Sequence, residues 1–546
     1  MITPALSRHS SVSSRRLLAL AAAALALQLA PAGIAAATNG SAINTFVAGA
    51  FNWSAPGNWT GGTVADGTGA VATFSNNYTS TVTINFGLGG GSTNLTLGAL
   101  NYTDTTPSAQ LTLQGGSGGT ATLTFDDVDG ISEINVSTAA AVPLQFGNTG
   151  SLSIVGDDNL RISVTGTVNA VRLNTNVNWS GQTGKVTLVA GRYQTENSNT
   201  LPGAAELELG TGVQLRALLH NGSTIRNQSI KGLSGAATSL LGTSDNAASE
   251  ATLTVGTGTL STDSYDFAGI LGGDIAVTGA GNENSRFSIT KTGLSTQKFS
   301  GNTIYTGTTT INGGSILVNG THYADTSLSN NLASVATRGL YTVNSGGTLG
   351  GTGTIKAYDT AGSGLIITVA SGGTLAPGDG GIGTLTLDNT TSARSILGFS
   401  SGGVAAFDLG AGVTSDRIAI LGRSSVASEV VFNSTVINFT DRTGGSLTTG
   451  DYLLFSGDSN VDFVTGYSGL TLGGAFSGTS HSGTAITGGL TVGTGLGSYA
   501  SSQLFLVDNN IYLNVTATAV PEPSTYAALA GLAALGLAAH RRRRAK

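Results

Sequence analysis

Cysteine is absent from the 546 residues. Disulfides, thiol nucleophiles and cysteine-ligated zinc are thereby excluded together, and stability has to come from burial and stacking. Charge is scarce too: Asp, Glu, Lys and Arg make up 10% of the chain, against about 25% in an average domain. With 40% of residues hydrophobic, the chain has apolar surface to bury, which excludes intrinsic disorder. Proline is limited to 9 residues and aromatics to 6%, a composition suited to a narrow stacked interior rather than a wide core. Glycine fills the space left, at 82 residues. Its spacing is too irregular for a collagen triple helix. It recurs between short Thr, Val, Leu and Ile runs, where many tight turns need positive φ.

Both ends read as addresses. Arg8, Arg15 and Arg16 precede the apolar run from Leu17 to Ala30, and Ala35 and Ala37 then supply the small residues of a cleavage site before Thr38. Residues 1–37 are expected to be a secretory signal peptide removed by signal peptidase. At the other end, Val520-Pro521-Glu522-Pro523 is followed by the apolar stretch from Tyr526 to Ala539, then His540 and Arg541, Arg542, Arg543 and Arg544. That stretch spans about 21 Å as a helix, short of a ~30 Å hydrocarbon core unless snorkelling arginines extend it. The expectation is a short transmembrane helix with its basic cluster on the cytoplasmic side. Eight of the 24 basic residues and one of the 30 acidic residues lie in the two ends. The part between carries 16 against 29, a net charge of −13, which argues against nucleic acid as a partner.

Taken together, Pro521, Glu522 and Pro523, the weak membrane helix and the arginine tail resemble the PEP-CTERM sorting signal, assigned here to residues 520–546. The resemblance implies a secreted protein held transiently in the inner membrane until an exosortase cuts near Pro-Glu-Pro. It also implies a Gram-negative-type envelope and an association with exopolysaccharide or another surface glycan in a biofilm. A plain tail anchor that keeps its arginines is the competing reading.

Between Thr38 and Ala519 short alternating runs repeat without an amphipathic helix: Leu111–Leu113, Ala121–Phe125, Leu152–Ile154, Ile162–Val164, Val186–Leu188, Leu253–Val255, Thr384–Leu387 and Ile511–Leu513. Each has the period of two of a half-buried strand, bordered by Gly, Asn or Asp. A single sandwich or barrel seldom reaches this length, whereas a solenoid grows by adding coils. The predicted fold is all-β: a right-handed parallel β-helix with an N-terminal cap over 38–110, coils over 111–400, and further coils or a separate β region over 401–519. At roughly 20 to 25 residues per coil it would form a rod of roughly 100 Å.

One stretch is more specific. Lys291-Thr292-Gly293, Ser300-Gly301-Asn302-Thr303, Tyr305-Thr306-Gly307 and Gly314-Ser315-Ile316-Leu317-Val318 follow one another over about 291–320. They resemble the autotransporter-associated β-strand repeat, with Phe299 where leucine is usual and Ile304 inserted before Tyr305. The resemblance implies a β-helical passenger, here with a sorting tail in place of its own translocator barrel. Near the start, Trp53 and Trp59 suit either a cap over the first coil or an aromatic platform for a carbohydrate.

Signals for catalysis are weak. Gly115-Gly116-Ser117-Gly118-Gly119 matches G-x-S-x-G, but no helix follows, so it reads as a turn. His220, His322 and His481 lack any metal spacing and read as surface residues. Asp126, Asp127 and Asp129 before Gly130, with Asp157 and Asp158 after Gly156, are the best carboxylate candidates. Stacked on nearby coils they would form an acidic patch for glycoside hydrolysis or calcium, while Asx turns account for them without any function. No catalytic, cofactor or metal residue is assigned. The expected function is a non-enzymatic surface or matrix protein, structural or adhesive. The alternatives are a β-helical polysaccharide hydrolase or lyase, or a glycan-binding adhesin that stays anchored.

Overall fold

The computed structural model describes residues 37–43, 49–75, 77–87, 92–105, 110–138, 144–166, 170–174, 176–217, 220–221, 224–243, 251–274, 287–305, 307–325, 339–358, 364–390, 392, 394–423, 430–464, 469–497, 499, 501–516 and 523–544. These form a parallel β-solenoid followed by a single α-helix. Each regular coil lays one strand on each of three sheets. Leu111–Gln114, Thr120–Phe125 and Ile131–Thr138 make one coil, and Leu144–Phe146, Ser151–Gly156 and Asn159–Gly166 stack on them in the next.

The period-two pattern decides which side chains enter. In Thr120–Phe125, Ala121, Leu123 and Phe125 are buried while the threonines between them face outward. Register then stacks like on like, Ala121 against Leu152 and Leu123 against Ile154. One inward ladder runs Ile230, Val255, Lys291, Ile311, Val343, Val369 and Phe399. Its outward neighbour runs Ser229, Thr254, Thr290, Thr310, Thr342 and Thr368. A one-residue slip would turn the aliphatic ladder to water and the hydroxyls inward, so burial fixes the register.

The longest sheet holds 17 strands, all parallel except Thr414–Ser415. At 4.7–4.9 Å per rung it is a rod of about 70 Å, shorter than the roughly 100 Å expected, because the coils are longer. The step along the chain between parallel neighbours runs from 19 residues, Thr296 to Ser315, up to 37, Ile418 to Phe455, and reaches 55 at the last rung, Thr435 to Leu490. Three strands and three corners need that much chain.

The third face is interrupted once. Its four-stranded sheet ends at Val177–Gln182 and an eight-stranded sheet begins at Gln228–Ile230. The coil between crosses residues 196–205 without a strand there. Buried Gln228 substitutes for the missing ladder: its Oε1 accepts the amides of Thr200 (3.0 Å) and Leu201 (3.2 Å), and its Nε2 donates to the Asn197 carbonyl (2.6 Å).

At the N-terminal end Trp53 and Trp59 are buried and meet edge to face, their centroids 4.9 Å apart, among Phe51, Phe74 and Phe86. Both indoles are satisfied, Trp53 by the Ala65 carbonyl at 3.0 Å and Trp59 by that of Trp53 at 2.7 Å. This is a core plug at the end of the stack. The indole faces pack on other rings, so the aromatic-platform reading does not hold.

At the other end the parallel rungs continue through Val404–Gly410, Arg417–Leu421 and Thr435–Asp441. From Gly450–Gly457 the sheet continues antiparallel, through Asn510–Thr516, Ser501–Val507, Ser482–Gly488 and Thr471–Ser477.

Candidate sorting signal and the polar clusters

Stacking brings the two acidic turns together. The Asp158 carboxylate accepts the Asp127 amide at 2.5 Å and the Ser132 hydroxyl at 3.2 Å. Asp126 accepts Thr68 Oγ1 at 2.7 Å, Asp129 accepts the Ile131 amide at 3.1 Å, and Asp127 accepts the Asp129 amide at 3.3 Å. Asp157 lies in the bend between Ser151–Gly156 and Asn159–Gly166. Four of the five candidate carboxylates thus act as braces within and between coils, and Asp127 and Asp129 also line an open pocket with Glu133 and Arg161. Among the described residues, no group of three or more His, Asp or Glu is placed to hold a metal ion.

His322 departs from expectation: it is buried rather than at the surface. Its ring stacks on Tyr305, centroids 4.7 Å apart, and meets Tyr341 edge-on, with Nδ1 hydrogen-bonded to the Tyr341 hydroxyl. Burial lowers its pKa to about 3, so the ring in the folded protein is neutral at physiological pH. Lys291, the first residue of the repeat, is buried in the aliphatic ladder, and its Nζ donates to the carbonyls of Thr292 (2.6 Å) and Gly313 (3.4 Å). Burial pulls its pKa down to about 8. Alternation puts Lys291 on the inward face with Ile289, and in a solenoid such an inward position is set by register whatever the residue type.

A second cluster escaped the sequence reading. Asp451, fully buried, accepts the amides of Thr479 (3.0 Å), Ser480 (2.6 Å) and His481 (2.8 Å) and the Asn514 side chain (2.6 Å). Burial opposes ionisation, but these donors outweigh it and hold the carboxyl below its ordinary range. His481 Nδ1 lies 3.3 Å from the same oxygen, and the ring stacks on Tyr512. The carboxylate anchors the turn of the hairpin 471–488. Thirty residues separate Asp451 from His481, so the pair carries no local motif.

The processing residues lie at the margins. Ala35, Pro521 and Glu522 are outside the described residues, and Ala37 is exposed. Pro523 opens the helix Pro523–Arg544, the position where proline's missing N–H costs least. Arg541, Arg542, Arg543 and Arg544 occupy its last turn, where cations complement the helix dipole. Leu529, Leu532, Leu535 and Leu537 are 59–69% exposed, so the helix does not pack its apolar side on the solenoid. No helix among the described residues is long and apolar enough to cross a membrane. The helix continues through the arginines, so its apolar part is shorter than its 22 residues.

Residues 519–544 match the model of the PEP-CTERM protein-sorting motif. The chain carries a PEP-CTERM sorting signal. This PEP-CTERM chain is also similar to the adhesin BmaC autotransporter of Brucella suis, at 40% identity over 106 residues. The alignment covers 19% of the present chain and 2% of the adhesin. The parallel stack of coils is consistent with passenger-type repeats.

Proposed function

We propose that this is an exported, non-enzymatic surface or matrix protein, structural or adhesive, whose C-terminal signal is read by an exosortase at Pro521 to Pro523. The match of residues 519–544 to a sorting motif carries the reading. Its support is positional: from Pro523 on, the motif lies on a helix whose leucines and arginines are exposed, accessible to a membrane enzyme without unfolding any coil. The adhesin similarity supports a place at the cell surface.

On this reading the signal peptide ends at Ala37, the apolar helix with its arginines holds the chain transiently in the inner membrane, and cleavage releases a rod. The envelope is of Gram-negative type, and the rod presents Ser, Thr and Asn ranks to exopolysaccharide or another surface glycan. The engagement of the acidic-turn carboxylates in corner hydrogen bonds supports a structural role for them over hydrolysis.

Mass spectrometry of the protein recovered from the cell surface or medium tests this. The expected C-terminus lies near Pro521–Pro523. An intact Arg541–Arg544 tail on the surface protein would replace the reading with a permanently anchored one. Turnover of a polysaccharide, abolished in an Asp126→Ala, Asp157→Ala double variant, would overturn the non-enzymatic part.

A further inference from the structure

Three side chains far apart in the sequence meet on the outside of the repeat. Lys298 alternates with the buried Gln297 and Phe299, and the register sets it beside Leu317 of the next rung, Gly314–Val318. Asn319 follows that rung, its backbone amide held by the Phe299 carbonyl at 2.9 Å. Lys298 and Asn319 are thus diagonal neighbours on consecutive rungs, a separation that a long side chain spans. Two rungs further on, the loop after Thr374–Pro377 turns back, where Gly378 and Gly351 exchange both backbone bonds at 2.9 and 3.1 Å. This return carries Asp379 to the first two rungs. The Lys298 ammonium lies 2.7 Å from its Oδ1 and donates to its Oδ2 at 2.8 Å, and Asn319 Nδ2 donates to the same Oδ2 at 2.9 Å. Amine and amide therefore share one acceptor atom. The Asn319 carbonyl oxygen accepts the Thr352 backbone amide at 3.1 Å and the Thr352 hydroxyl at 3.4 Å. Lys298 and Asp379 keep 28% and 26% of their side-chain surface, so most of the site is shielded from water. A nucleophile, a proton carrier and an amide whose carbonyl is already polarised stand together.

We propose that the folded protein joins Lys298 to Asn319 by an isopeptide bond, with Asp379 carrying the protons. Asp379 takes a proton from the Lys298 ammonium, and the free amine attacks Cγ of Asn319. The Thr352 amide and hydroxyl stabilise the negative charge that develops on Oδ1. The Nζ–Cγ bond forms and the Cγ–Nδ2 bond breaks. Asp379 passes the two protons shed by Nζ to Nδ2, which leaves as ammonium, and the carboxylate is regenerated. The product ties two consecutive coils covalently, in a chain that has no cysteine to do so and whose coils otherwise hold each other through hydrogen bonds and burial.

Tryptic peptide mass spectrometry of the exported protein, in whichever C-terminal form the cell yields, tests this. Trypsin cuts after a free Lys298 and not after a linked one. The expected product is a single looped peptide over residues 292–338, short of its calculated mass by one ammonia, in place of two cleaved peptides. Lys298→Arg, which keeps the ion pair with Asp379, and Asp379→Asn, which keeps its shape, should both lose the loop while their circular dichroism spectra stay unchanged. Asn319 precedes Gly320, so closure of a succinimide there would also expel ammonia, but it leaves Lys298 open to trypsin and survives in Lys298→Arg. Three results overturn the proposal: wild-type peptides cleaved at Lys298 with full mass, an ammonia loss that persists in Lys298→Arg, or a loop that forms as fully in Asp379→Asn as in the wild type.

Discussion

Replacing Lys291 by methionine should stabilise the protein at neutral pH and make it indifferent to pH in a window where the wild type is not. The ammonium lies in an aliphatic ladder between Val255 and Ile311, and burial lowers its pKa to about 8. An unfolded lysine titrates near 10.4. Below about pH 8 both states hold the proton, and the folded state carries the full cost of a buried charge. Between about pH 8 and 10.4 the folded state has released its proton and the unfolded state has not, so wild-type stability rises with pH. Two and a half pKa units correspond to about 3 kcal/mol. Methionine keeps the unbranched stem and forfeits the hydrogen bonds to Thr292 and Gly313, about 1 kcal/mol. The net gain at about pH 7 is then about 2 kcal/mol, and it vanishes by about pH 10. Urea unfolding of both proteins at the two pH values reads it. The buried tyrosines Tyr193, Tyr305 and Tyr341, whose pKa values burial raises, act in the opposite direction but equally in both proteins, so the difference isolates Lys291. A variant less stable at neutral pH, or a difference that does not change with pH, would refute the reasoning.

Three further outcomes are expected. Trp53→Ala should cost about 3–5 kcal/mol as a core cavity and raise amide exchange at Gly49–Asn52 while sparing Val404–Gly410, because coils interact with their neighbours only; equal loss of protection at both sites would contradict the plug. Gly116→Ala should prevent stable stacking, since its Cβ would stand 1.9 Å from the Gly87 carbonyl oxygen at φ 88°, whereas Gly118→Ala at φ 69° meets open space and should cost about 1–2 kcal/mol; similar thermal midpoints for the two would count against the close approach. Asp451→Ala leaves three amides without an acceptor and should lower stability by about 1–3 kcal/mol or more. Because that carboxyl is held below its ordinary range, its contribution is present above about pH 4 and fades as pH falls through the folded value; acid titration of wild type and variant should converge at low pH, and parallel curves would refute the role.

The architecture was legible because a solenoid repeats a local rule. Every run singled out by its period of two, from Leu111–Leu113 to Ile511–Leu513, lies in a strand, and Glu206 and Glu208 flank the buried Leu207 and Leu209 as a wet face should. What alternation cannot tell is the partner. Ile511–Leu513 reads like any rung, yet it pairs antiparallel, since strand direction depends on the connection and not on the side chains. His322 was misleading for a related reason: a polar residue in an inward register is buried whatever its type. The acidic turns were recognisable as corners, but that Asp127 and Asp158 touch follows only from coil lengths. The sorting tail was legible outright, because an address is a linear string.

The break in the third face has a mechanical consequence. There the row of backbone bonds thins to the Asn199 amide on the Asn227 carbonyl beside the Gln228 side chain, so this coil is laced firmly through two faces and only loosely through the third. Load applied along the axis, as on a protein held at one end and gripped at the other, concentrates at Gln228. Bending and first rupture should therefore begin there, while the plugged start and the antiparallel finish keep their shape.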